Sequence, residues 1–319
     1  MRTIRQFVLT IFAALLFLAG CGIAGPLVFE HDISYVYEDA DDITPLMWHV
    51  TSPDGQTMYL FGSIHVGTPD IYPLPDFVMD AFRRSDYLAV EFNEITSGAE
   101  MMAAMPLFMY TDGRLAIDDM GEELHARAVA ALGDYALFLD IFMPIMWYDA
   151  LLSVALDRTD LGSGGQHRLE FEYGLDLFFI RQSWRHAMPI LEVESVTSQM
   201  EMLAGLSMPL QIALLEAALD DLDYSPYDTL DLFELWKQGD EDALRELLSH
   251  QGHIYTDELF AEYWDAMMTQ RDIHMTQMAR NYMAEGRKVF FVVGLAHFLV
   301  DNGIIDLLTQ YGYDVIRVQ

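Results

Sequence analysis

Two short segments near opposite ends of the chain carry the same pattern. Tyr59-Leu60-Phe61-Gly62-Ser63-Ile64-His65 and Phe291-Val292-Val293-Gly294-Leu295-Ala296-His297 each read as the end of an apolar strand followed by G-x-x-H. A glycine where a buried strand stops lets the backbone turn sharply. Three residues on, each histidine projects over the strand ends. Helix-like and then strand-like sequence follows each copy. The two units therefore predict an α/β (α+β) fold around a central mixed sheet, with the mostly helical middle of the chain as an insertion or cap. Ligands in open sheets of this class bind beyond the carboxyl ends of the strands. Both imidazoles are thus expected where chemistry would occur.

The rest of the chain fits that frame. Leu46 to Val50 and Thr57 to Phe61 read as strands, and Pro53-Asp54-Gly55 between them is turn chemistry, so a hairpin is expected. Pro75 suits a first helical turn, and Phe77, Val78, Ala81 and Phe82 form a helical stripe after it. Tyr87 to Phe92 is the next strand, closed by Glu91. A helical elaboration is expected over about 97–285, interrupted by the flexible loop Gly162-Ser163-Gly164-Gly165 and a short strand at Pro189-Ile190-Leu191. Breaks are expected at Pro209, Pro226 and Gly252. Val289 to Val293 is a buried strand, a helix follows near Ile304 to Gln310, and Asp314 to Val318 is the last strand.

The amino terminus reads as an address. Arg2 and Arg5 precede an apolar run from Phe7 to Ala19, too short for the roughly 20 residues that span a bilayer. It ends Leu18-Ala19-Gly20-Cys21, which resembles the lipobox of bacterial lipoproteins. That resemblance implies removal of 1–20 and lipidation of Cys21, the single cysteine in 319 residues. Residues 21–45, acidic and without helical periodicity, then form a tether, and 46–319 the globular domain. The expected location is the cell envelope, on the periplasm-facing side of an outer membrane. One cysteine leaves no disulfide framework and no multi-thiolate metal site. A formal charge of −33, with 17 basic against 50 acidic residues, argues against nucleic acid as a partner. At 52% hydrophobic and 13% aromatic residues, the chain is too apolar for disorder.

Two imidazoles and a carboxylate in one crevice match the ligand types for zinc, manganese, cobalt or iron(II). His65, His297 and Glu91 are the candidates. The glutamate stands out, because burying a carboxylate costs several kcal/mol unless a cation compensates. His250 and His253 flank Gly252, which reads as a loop. The 20 methionines suit an adaptable core or groove better than copper binding. H-E-x-x-H, G-x-S-x-G and G-x-x-x-x-G-K-[ST] are all missing.

These residues together resemble the TraB/GumN family, which is related to the TIKI metalloproteases and more distantly to erythromycin-esterase and ChaN-like folds. The likeness is carried by the Tyr59 to Gly67 segment, Tyr72-Pro73-Leu74-Pro75, Leu88-Ala89-Val90-Glu91, Gly174-Leu175-Asp176, Val193-Glu194 with Gln199, Arg271-Asp272, and Val292 to His297. It implies a catalytic centre on His65, His297 and Glu91, and, for the TIKI-like branch, peptide cleavage with manganese or cobalt. His65 and His297 would be metal ligands, and Glu91 a third ligand or the base that takes a proton from water. Glu194 would be a second carboxylate. Arg271 would hold a carboxylate or stabilise an oxyanion. The expected activity is a lipid-anchored, metal-dependent hydrolase (manganese, cobalt or zinc) of peptide or protein substrates. A haem- or metal-binding lipoprotein without activity and a metal-free His/Glu esterase are the alternatives.

Overall fold

The computed structural model describes residues 42–157, 169–224, 227–249 and 256–318. The lipobox with Cys21, the Gly162 to Gly165 loop, Pro226, and His250, Gly252 and His253 lie outside the described residues.

Six strands form one sheet: β1 (Met47–Thr51), β2 (Thr57–Ser63), β3 (Tyr87–Val90), β4 (Ile190–Glu192), β5 (Val289–Gly294) and β6 (Asp314–Val318). The order is β4-β3-β5-β2-β1-β6. β4, β3, β5 and β2 run parallel, and β1 is antiparallel to both β2 and β6. The expected hairpin is β1–β2, with Met47 opposite Phe61 and Thr51 opposite Thr57. The two G-x-x-H strands are immediate neighbours. Gly62 pairs with Val293, and Ser63 with Gly294. The second motif is thus displaced by one residue relative to the first.

β5 is buried along its whole length and β2 from Leu60 to Ser63, so helices cover both faces there. Phe61 and Phe290 share one face, where they meet Phe82 of α1 (Asp76–Arg84) and an aromatic residue of a later helix. The other face carries Trp48 against Phe298, ring centres 5.3 Å apart.

The middle of the chain supplies α2 (Gly98–Ala104), α3 (Ala116–Leu132), α4 (Pro144–Asp157), α5 (Leu175–Arg185), α6 (Val196–Ala204), α7 (Met208–Tyr224), α8 (Tyr227–Gln238), α9 (Glu241–Ser249), α10 (Asp257–Trp264) and α11 (Gln270–Ala284). The last helices are α12 (Ala296–Leu299) and α13 (Ile304–Gln310). Of the central group, α5 packs on the sheet through Phe179, whose ring lies 5.2 Å from Phe61 and 4.9 Å from Phe290. α3, α4 and α7 pack on one another, and α2 packs on α6, so the helical elaboration is a layer of its own.

Two sequence expectations differ from the fold. Pro209 does not end a helix; it occupies the first turn of α7, where its missing N–H costs nothing, and the break precedes it. The stretch expected as tether up to residue 45 is already part of the domain at its end. Ile43 and Pro45 are buried, and the Thr44 N–H donates to the Lys237 carbonyl at 2.7 Å.

Candidate active site

Strand pairing continues past the formal ends of β3 and β4. The Val193 N–H donates to Val90 O and the Glu194 N–H to Glu91 O, each at 2.8 Å. This lays Glu91 and Glu194 side by side at the carboxyl edge of the sheet. From the adjacent β5, the Gly294 N–H donates to Glu91 Oε1 at 2.9 Å.

The cation between the two carboxylates is Arg271, buried at the start of α11. A five-residue π-helical turn, Asp265–Thr269, joins α10 to α11 and rotates the following residues relative to an uninterrupted α-helix. Arg271 Nη2 donates to Glu91 Oε2 at 2.7 Å and to Glu194 Oε2 at 2.6 Å, and Nε donates to Glu194 Oε1 at 3.0 Å. Gln199, on the first turn of α6, donates from Nε2 to both glutamates, at 3.1 and 2.8 Å. Of the two roles expected for Arg271, the geometry realises the clamp. Its donors are turned into protein carboxylates and a histidine, not toward an open oxyanion position.

That histidine is His297, fully buried in α12. Arg271 Nη1 lies 3.1 Å from His297 Nε2. A guanidinium can only donate, so Nε2 accepts and the ring proton sits on Nδ1, which donates to Asp272 Oδ1 at 2.6 Å. Both ring nitrogens are thereby occupied. Burial alone pushes Glu91 up, but the charge of Arg271, followed by that of His65 and the Gly294 N–H, holds it down at about 2. Glu91 is therefore an ionised carboxylate pinned on both oxygens.

His65 occupies the other pole. Its loop leaves β2 and runs against the residues that open α5: the Leu175 N–H donates to Ile64 O at 3.1 Å, and Gly67 exchanges backbone hydrogen bonds with Glu170. His65 Nδ1 lies 2.9 Å from Asp176 Oδ2. The approach is off the line of a ring N–H donor, so neither buried atom has an aligned hydrogen-bond partner. Asp176 spends its other oxygen on the Ser63 hydroxyl, at 2.9 Å. Glu94, just beyond β3, completes a group with His65 and Asp176 in which one ligand atom of each lies within 4.8 Å of the others. Burial pulls the imidazole down, but the Asp176 carboxylate overrides it and lifts His65 to about 9. Burial, reinforced by Asp176, raises Glu94 to about 7.

Glu91 joins the poles: it shares Arg271 with His297, and the charge of His65 helps hold its pKa down. The expected trio His65, His297 and Glu91 is therefore gathered in one region. The donors that converge on a common point, however, are His65, Glu94 and Asp176. Sequence reasoning passed over Glu94 as a donor. Its only signal was its place just beyond Glu91, at the carboxyl edge of β3.

A divalent cation fits the His65 pole. Ligands at right angles around an ion with bonds of about 2.1 Å lie about 3 Å apart, and opposite ligands about 4.2 Å. The 2.9 Å His65–Asp176 approach and the 4.8 Å envelope accommodate this spacing. Charge points the same way. Glu91, Asp176 and Asp272 are buried carboxylates, the side chain of Glu194 is 8% exposed, and Arg271 is the guanidinium that bridges Glu91 and Glu194.

The TraB/PrgY/gumN family matches residues 46–317, and the chain belongs to that family. Among curated proteins it is 28% identical over 157 residues to the uncharacterized protein YbaP of Escherichia coli K12, covering 49% of this chain and 55% of that one. It is 23% identical over 306 residues to Metalloprotease TIKI1 of Xenopus tropicalis, covering 81% of this chain and 59% of that protein. The chain thus spans little more than half the length of the curated relatives it matches. No solved structure matches it.

Proposed function

We propose that this chain is an exported, lipid-anchored, metal-dependent hydrolase of peptide or related acyl bonds, acting at the carboxyl edge of β2, β3 and β5. The observation that carries this reading is the convergence of His65, Glu94 and Asp176 beside the ionised Glu91. Likeness to a protein named as a metalloprotease supports the reaction class. The Leu18-Ala19-Gly20-Cys21 motif supports the anchor.

His65 Nδ1, Asp176 Oδ2 and a Glu94 oxygen would hold the ion. When bound, such an ion polarises an acyl oxygen and lowers the pKa of water. The chain supplies the remaining functions. Ser63 and the first turn of α5 orient Asp176. Glu91 supplies a fixed negative charge in the crevice that attracts cations. The metal-free alternative takes His65 as the base beside Glu91; His297 is unsuited to that role, because its acceptor nitrogen already takes a hydrogen bond from Arg271.

The test is hydrolysis of a quenched peptide library by the full-length protein, with manganese, cobalt or zinc and after exhaustive chelation. Turnover that is lost on chelation and restored by one of these ions is the expected result. Turnover indifferent to chelation, or none with any ion, would overturn the proposal.

A further inference from the structure

The two G-x-x-H motifs look equivalent in sequence, and their strands are paired neighbours. Their histidines nevertheless meet different surroundings. The first leaves its strand into an open loop, and its side chain is 17% exposed. The second enters α12 within two residues and is buried to 0%. The first presents Nδ1 to an unaligned carboxylate oxygen. The second has a carboxylate on Nδ1 and a guanidinium on Nε2. An ion at His297 Nε2 would have to displace Arg271 and leave the buried Glu91 and Glu194 without their shared cation, which is strongly unfavourable.

We infer that the two motifs have diverged in role. His65, with Glu94 and Asp176, holds the ion; His297, oriented by Asp272, is a positioning residue that fixes Arg271, and through it the Glu91 and Glu194 carboxylates, without touching the ion. This rests on the hydrolase reading for its catalytic consequence, but its central claim concerns metal binding. A positioning residue acts through geometry, so its loss lowers kcat and leaves metal affinity in place. Loss of a ligand removes the affinity itself.

The experiment titrates the full-length protein and its variants with MnCl2 by calorimetry, and records the visible absorption of the cobalt-loaded forms. His65→Gln and Asp176→Asn should lose Mn2+ affinity by about a hundredfold or more, since each removes a direct donor. His297→Gln and Asp272→Asn should bind one Mn2+ with affinity within about threefold of wild type, and their cobalt spectra should superpose on it. In turnover, His297→Gln, whose side-chain oxygen can accept from Arg271, should retain about tenfold more kcat than His297→Ala, with KM unchanged. Should His297→Gln not fold, Asp272→Asn and Arg271→Lys make the same comparison with the imidazole in place. A folded His297→Gln that loses Mn2+ as severely as His65→Gln, or shifts the cobalt spectrum, overturns the inference while leaving the hydrolase reading intact. Intact binding in both His65→Gln and Asp176→Asn overturns it equally. A wild type that takes up no manganese, cobalt or zinc overturns the metal-dependent reading itself.

Discussion

At the scale of single residues, the strongest dependence falls on Arg271. It is the shared partner of two carboxylates that are 6% and 8% exposed, and truncating one member of a buried ion network leaves uncompensated charge. Arg271→Met should lower unfolding free energy by about 3–5 kcal/mol in urea titration, whereas the double replacement of Glu91 and Glu194 by Gln in the Met background should recover part of it. Asp149 makes a different prediction. It is buried in α4, Oδ2 has no partner, and burial raises its pKa well above the ordinary value. Between the unfolded pKa near 3.8 and the raised folded value, the folded chain binds more protons than the unfolded one. Its contribution is complete below that lower limit, and stability falls as pH rises through the window, by on the order of 1.4 kcal/mol per pH unit. Asp149→Asn should flatten that slope and be more stable than wild type at neutral pH, as read from thermal melts across pH. At this scale the sequence was legible where a residue broke its local pattern. Glu91 closes an apolar strand, and each histidine follows a strand-ending glycine. Glu94 breaks no pattern, because an acid in a loop is ordinary until a fold brings His65 and Asp176 to it.

At the scale of elements, the loop carrying His65 depends on a close backbone approach. A Cβ on Gly174 would collide with the His65 carbonyl carbon and oxygen, which cannot yield without moving the loop. A Cβ on Gly62 would meet chiefly the tip of the Leu295 side chain, which can rotate away. Under the hydrolase proposal, Gly174→Ala should therefore abolish Mn2+ binding and activity, while Gly62→Ala keeps at least half of both; calorimetry and peptide turnover distinguish the two. The strands were readable because apolar runs bounded by turn residues leave few alternatives, as at Val289 to Val293. The helical middle was less so. The junction between α8 and α9 at Gly239-Asp240 escaped notice, although glycine is a helix breaker, because the prolines nearby drew the boundaries instead. The π-helical turn before Arg271 has no sequence signature at all. It joins α10 to α11 just ahead of the buried Arg271.

For the whole molecule, charge dominates. A net −33 makes the compact state repel itself, and counter-ions relieve this. The melting temperature should rise between about 10 mM and 0.5 M NaCl, over which the screening length falls from about 30 Å to under 5 Å. A melting temperature that falls over this range would contradict the argument. Under the hydrolase proposal a divalent ion adds a specific term: at a hundred times its Kd, Mn2+ should add about 2.7 kcal/mol, and that increment should vanish in Asp176→Asn.

The sheet order has a consequence for how the molecule comes into being. β5 sits between β3 and β2, so the two older strands cannot be joined until residues 289–294 arrive. Until then the edges of β2 and β3 stand unzipped, and Glu91 waits for the Gly294 amide and for Arg271. A ribosome that stops before this strand releases a chain with open edges and no assembled charge cluster: inert, prone to stick to its own kind, and a natural client for holding factors. The order of strands thus makes assembly of the crevice wait for β5, whatever has been made before it.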